Sequence, residues 1–193
     1  MCIRDRYTTA PKSLARRSAQ TALWHLTHAM LRWMAPFLSF TAEEAWKVFA
    51  PGQSVSIFTE TYSDTGPWRD DTLLAKWARI RAVRDAANKE IEALRAAGQV
   101  GSSLQAELTI SADIADHALL SSLGDDLKFV TITSKALLET ADALGIAVKP
   151  SSATKCERCW HYRDDVGADT VHPTICGRCT SNLYGNGETR RAA

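Results

Sequence analysis

Cys156, Cys159, Cys176 and Cys179 form two Cys-x2-Cys pairs with sixteen residues between them. Thiols at this spacing have three chemistries open to them: a disulfide staple, a redox dithiol or a metal site. Each pair can form a tight turn that presents two thiolates to two corners of a tetrahedron, with sulfurs about 2.3 Å from the ion. Two such turns supply four soft ligands, which close the coordination sphere and suit Zn²⁺. A closed sphere leaves no position for a substrate, so the metal expected here is structural. The intervening length also fits the spacing of zinc ribbons. A disulfide staple would suit a secreted chain, and a redox dithiol a single pair at a helix start.

The neighbours of the cysteines fit the same reading. Four thiolates around one Zn²⁺ leave a double negative charge, and Lys155, Arg158 and Arg178 stand beside the ligands to offset it. Gly177 is expected to take a positive φ in the second knuckle. His161 and His172 could ligate, but four cysteines make them redundant, and both are expected as surface or packing histidines. Cys2 is alone and is assigned no role. A unit this small has little apolar core, so metal binding must supply most of its folding free energy. Its surface would carry Arg158, Trp160, His161, Tyr162 and Arg178. Guanidinium groups and planar rings together suit stacking on unpaired bases. The plainer alternative is that Trp160 and Tyr162 only cover the metal site.

The elements that must hold this unit are mostly helical. From Ser13 to about Met34, Leu23, Leu26, Met30, Trp33 and Phe37 recur at spacings of three and four, which predicts a helix with that stripe in the core. Arg17, Gln20, Trp24, His28 and Arg32 mark its other face. Thr41 and Glu44 fit a capping box for a short helix from about Ala42 to Phe49, stopped by Pro51-Gly52. A short strand is expected over 54–58. Asp70 or Asp71 can cap a long helix that Gly98 closes, with Leu73, Trp77, Ile80, Ala87, Ile91 and Leu94 as its apolar stripe. Its other face carries Arg81, Arg84, Asn88 and Arg95.

The pattern then changes. Leu104, Ala106, Leu108 and Ile110 alternate as in a half-buried strand. ADHALLSSLGDDL predicts a short helix, LKFVTITS a β-rich run, and ALLETADALGIAVKP a further edge strand. The fold class expected is mainly α: an antiparallel helical bundle over 7–98, a small α+β unit over 99–149, and a zinc-ribbon-like module with four cysteine ligands over 150–193. Residues 1–6, MCIRDR, join nothing periodic and are set aside as a scar or truncation artefact.

Composition excludes little. The net charge is +1. Residues 1–98 hold 14 Lys/Arg against 10 Asp/Glu, and residues 99–149 hold 3 against 7. A basic first half and acidic middle are compatible with a polyanion held at one end. No apolar run approaches the roughly 20 residues that span a bilayer, and the N-terminus has no signal-peptide core. A cytoplasmic monomer without membrane contact is expected, in a compartment where thiols stay reduced. No Ser/His/Asp arrangement or open metal constellation supports an autonomous enzyme.

KCERCWHY followed by ICGRC resembles the C-terminal zinc module of bacterial isoleucyl-tRNA synthetases. Upstream, ARRSAQTALWHLTHAMLRWMAPFLSFTAEEAW is similar to the helical anticodon-binding domain of that family, and VGSSLQAELTI to the unit after it, in the same order. The resemblance covers about Tyr7 to Ala193. PFLSFTAEEAW by itself would point only to the related synthetases for Ile, Leu, Val and Met; the Cys pairs with GSSLQAE select isoleucine. No HIGH-like or KMSKS-like motif is present. The resemblance implies a piece of a ligase that, with ATP and Mg²⁺ in a catalytic body elsewhere, attaches isoleucine to its tRNA. This piece would bind the anticodon stem-loop of the tRNA for isoleucine. Arg158 and Trp160 would meet anticodon bases, and Arg16, Arg17, Arg81 and Arg84 phosphates. Against it stands a stand-alone zinc-dependent protein-interaction module.

Overall fold

A computed structural model describes residues 3–52 and 55–190. Cys2 and Ser54 lie outside them. The chain divides into two compact units, 17–70 and the remainder, 1–16 with 71–193. Helix α1 (Ile3–Thr8) belongs to the larger one.

Helix α2 (Leu14–Met34), most of which falls in the smaller unit, is followed by α3 (Ser39–Phe49) and a 3-10 turn at Ile57–Thr59. Their core is Leu31, Ala35, Ala42, Trp46, Ala50 and Ile57. The apolar stripe predicted for the core of α2 is instead exposed: Leu26 is 59% exposed, Trp33 55% and Phe37 86%. On the face marked by polar residues, the C-terminal part turns inward, with Arg32 half-buried, while Arg17, Gln20 and Trp24 stay exposed. His28 is buried, with ring centroids 4.2 Å from Trp24, 5.0 Å from Trp46 and 5.3 Å from Phe49. The Arg32 guanidinium lies 5.3 Å from the Trp46 centroid and pairs with Glu60 and Ser63. Amphipathic rings and a paired guanidinium let a face that looks polar in sequence pack inward. The capping box at Thr41 does not form. Helix α3 starts earlier, at Ser39, and Leu38 caps it without a side-chain hydrogen bond. Glu43, one turn in, accepts from Ser56 Oγ and the Ile57 amide, which anchors the loop as a 3-10 turn rather than a strand.

In the larger unit, α1 precedes the long helix α4 (Asp71–Ala96). At about 1.5 Å per residue α4 is about 40 Å long. Its end matches expectation: Gly98 takes φ +71°, and the Gly98 and Gln99 amides bond back to Arg95 and Leu94. Strand β1 (Ala106–Ala112) is central in a three-stranded sheet, parallel to β2 (Lys135–Thr140) and antiparallel to β3 (Gly145–Pro150). A parallel neighbour needs a crossover, supplied by α5 (Ile114–Ser121) and α6 (Leu127–Thr131). Ala106, Leu108, Ile110 and Ala112 of β1 meet Ile80, Val83, Ala87 and Ile91 of α4 in one core. Of the α4 stripe, Leu73 stays exposed and Val83, absent from it, is buried.

LKFVTITS is a helix and not a strand. Thr131 Oγ1 donates to the Leu127 carbonyl one turn back, and Ile132 ends α6 in the left-handed region at φ 57°. β-Branched residues here cap a helix instead of lining a sheet. The segment ALLETADALGIAVKP supplies two strands, β2 and β3, rather than one edge strand.

Candidate metal centre and the surface around it

The first knuckle is a hairpin. β4 (Thr154–Lys155) pairs antiparallel with β5 (Tyr162–Arg163), and Cys156 and Cys159 sit in the turn. The Trp160 amide donates to the Cys156 carbonyl at 2.9 Å and the Cys156 amide to the His161 carbonyl at 2.9 Å. The second knuckle opens α7 (Gly177–Tyr184), with Cys176 at its N-cap. Asp165 joins the two knuckles: it pairs with Arg163 and accepts from the Gly177 amide at 3.1 Å. The Cys176 amide reaches Cys156 Sγ at 3.3 Å.

All four sulfurs lie within 4.8 Å of one another and all four cysteines are buried. Cys156–Cys179 and Cys159–Cys176 are 3.8 and 3.7 Å apart. A tetrahedron with metal–sulfur bonds of about 2.3 Å has edges of about 3.8 Å. A disulfide would need about 2.05 Å. The geometry therefore fits a Zn²⁺ held by Cys156, Cys159, Cys176 and Cys179. Hydrogen bonding within the sulfur set lowers the Cys156 pKa, chiefly through Cys159, and raises Cys159 and Cys176, chiefly through Cys156. Cys179 is lowered to about 7: contact with Cys156 raises it, and contacts that include Cys159, Cys176 and Arg158 outweigh that. A divalent cation would replace this shared proton load with four thiolates.

Neither histidine joins the cluster. His161 is buried with its ring edge-on to Phe129, 5.4 Å between centroids. Burial, with Arg178 nearby, pushes its pKa down to about 4 and keeps it neutral. His172 stacks on Tyr184 at 4.2 Å. Gly177 does not take a positive φ; the residue that does is Trp160, at φ 69°.

Three cations expected to balance the thiolates have separate tasks. Arg158 donates to the Thr8 carbonyl at 2.7 Å as well as reaching Cys179. Arg178 is buried and pairs with Asp5 and Glu188, each at 2.7 Å. Lys155 stands over the Trp160 ring, 5.2 Å from its centroid. Arg190, which no sequence pattern singled out, pairs with Asp5 at 2.7 Å, lies 3.1 Å from Asp126 and sits 3.7 Å from the Phe129 ring centroid. Burial works against the Glu188 carboxylate, but Arg178 and Arg190 outweigh it and hold its pKa below the usual range. This network ties the second knuckle to α1 and α6. Asp5, in the stretch that sequence patterning left out of the fold, is one of its central anions. Ser134 adds a second tie, accepting from the Tyr162 amide at 2.6 Å.

Of the other RNA candidates, Trp160 is 42% exposed. Arg17 and Arg81 are exposed and Arg84 is half-buried. Arg16 donates to the Tyr7 carbonyl at 3.4 Å.

Residues 1–110 match the family model described as the anticodon-binding domain of tRNA ligase. The chain belongs to that family. Residues 154–182 match a zinc finger found in FPG and IleRS, the stretch that holds the four cysteines. Its relatives narrow the class further. It is 61% identical over 198 residues to an isoleucine–tRNA ligase of Ralstonia pickettii, covering 99% of this chain and 21% of that protein. It is 59% identical to the isoleucine–tRNA ligase of Paraburkholderia phymatum and 58% to that of Burkholderia multivorans, with the same coverage. The chain thus spans 21% of the length of these relatives. No helix among the described residues is long and apolar enough to cross a membrane.

Proposed function

We propose that this chain is the anticodon-gripping part of an isoleucine–tRNA ligase and binds the anticodon stem-loop of the tRNA for isoleucine. The observation that carries the reading is the anticodon-binding family match over 1–110, followed by the zinc-finger match over 154–182. The identity to isoleucine–tRNA ligases over nearly the whole chain favours it over a stand-alone interaction module. The helical region of 7–98 holds the RNA backbone, the unit of 99–149 joins it to the cysteine module, and residues 150–193 reach the loop. Amino-acid activation with ATP and Mg²⁺ takes place in a catalytic body outside these residues, in a cytoplasmic, monomeric ligase.

Trp160 offers a partly exposed ring to an unstacked base, and Arg158, two residues earlier in the same knuckle, is the second base-contacting candidate, although its guanidinium donates to the Thr8 carbonyl in this structure. Arg16, Arg17, Arg81 and Arg84 meet phosphates, which position the RNA while base contacts specify it. Zn²⁺ would hold both knuckles and so the backbone that aims Trp160. The test is titration of the zinc-loaded chain with a synthetic anticodon stem-loop. Binding should weaken with salt, and Trp160→Ala should cost about tenfold or more, within the range for one stacked base. Arg158→Ala reports less cleanly, because it also frees the Thr8 carbonyl. Equal affinity for the cognate stem-loop and a scrambled hairpin would overturn the reading.

A further inference from the structure

The left-handed residue of the first knuckle is where glycine fits without cost, and this chain places tryptophan there. A bulky residue held in that conformation points to a task for its side chain. Contacts to Glu157 and Lys155 restrain the ring. Its Nε1–H donates to the Glu157 carbonyl at 3.1 Å, and the Lys155 ammonium lies 5.2 Å from its centroid. Lys155 is exposed, and its ammonium lies over the Trp160 ring.

We propose that Lys155 is a positioning residue for RNA, holding the Trp160 indole in its binding orientation and presenting its ammonium to the phosphate of the nucleotide that stacks there. The hairpin makes this possible. Lys155 ends β4 and pairs in register with Tyr162 of β5, so the strand pairing fixes its place relative to the turn that carries Trp160. A cation on an indole restricts the ring and adds a positive charge beside any base that lies on it. Trp160 is 42% exposed, so part of the ring is within reach of a planar ligand. This inference rests on the stem-loop reading above.

The test is a double-mutant cycle on the full zinc-loaded chain, with the synthetic stem-loop as probe: Lys155→Met, Trp160→Ala and both together, with Lys155→Arg as the conservative variant. Lys155→Met should weaken binding about three- to tenfold, the sum of a lost cation–π contact and a lost phosphate partner. Lys155→Arg should recover most of the loss. In the Trp160→Ala background, Lys155→Met should cost clearly less than it does alone, because the ring it positions is gone. An equal cost in both backgrounds would make Lys155 an independent phosphate contact and overturn the positioning role. So would unchanged affinity on Lys155→Met, or a fall in zinc content or melting temperature large enough to account for the loss. If the unaltered chain fails to bind the stem-loop, the RNA reading itself falls, and this one with it. Binding by the unaltered chain with no effect of Lys155→Met overturns this inference alone.

Discussion

Trp160 sets a side-chain demand against a backbone preference. At φ 69° a residue with a Cβ is strained, and glycine is not. Trp160→Gly should therefore leave the melting temperature unchanged or raise it, by up to about 1 kcal/mol of stability, while weakening stem-loop binding about tenfold. Thermal melts and titrations on the same zinc-loaded sample check both signs. A clear fall in stability would show that the ring serves the fold and not a ligand. Arg178 makes the opposite case. Its guanidinium is 6% exposed between Asp5 and Glu188. Arg178→Ala leaves Asp5 and Glu188 to Arg190 alone, so the loss of its charged hydrogen bonds should cost about 1.5–3 kcal/mol in denaturant titration.

The long helix α4 owes its place to packing and to one bidentate ion pair. Arg79 Nε donates to Asp116 Oδ1 at 2.8 Å, and its Nη2 to Oδ2, tying α4 to the start of α5. Those hydrogen bonds hold the Asp116 carboxyl below its usual range. The folded-state pKa is lower than the unfolded one, so the pair stabilises fully above about pH 4 and its contribution is lost as the pH falls through the folded value. Arg79 is half-exposed, so the contribution is about 1 kcal/mol. Arg79→Met should flatten the acid limb of the stability–pH curve by that amount; an unchanged limb would mean the pair contributes nothing. The apolar contact is larger. Ile80→Ala or Leu108→Ala should each cost about 2–5 kcal/mol, since both side chains are fully buried where α4 meets β1.

At the scale of the molecule, the cysteine module has a sulfur cluster fit for a metal and a network of buried charge around it. Around the four cysteines only Val166 and Ile175 pack as partly buried apolar side chains among the described residues, so metal must supply most of the local folding free energy. Chelation should unfold the region of 154–182 first, read by hydrogen exchange, while the α4–β1 core keeps its protection. The Arg178–Asp5 pair extends that effect. Amides of α1 should lose protection together with the knuckles, before those of β1. Simultaneous loss of the knuckles and the sheet would overturn the separate stability of the two cores.

The identity and spacing of the four cysteines were enough to predict a closed zinc site, because metal-ligand geometry is set within each short knuckle. The strand through Leu108 and Ile110 and the end of α4 at Gly98 were equally legible, since alternation and a left-handed cap are local signals, although β1 runs Ala106–Ala112 and Leu104 belongs to a 3-10 turn before it. The sequence did not show which residues of α2 are buried, because His28 and Arg32 are amphipathic and their burial depends on partners in α3 and the following loop. Nor did it show that LKFVTITS is helical, because the backbone of Thr131 and Ile132 follows from a crossover that must return to β2. The tie from the second knuckle to α1 is the clearest case. Arg178 and Arg190 become structural only where folding brings Asp5, Asp126 and Glu188 around Phe129, and no pattern along the chain records contacts between residues so far apart.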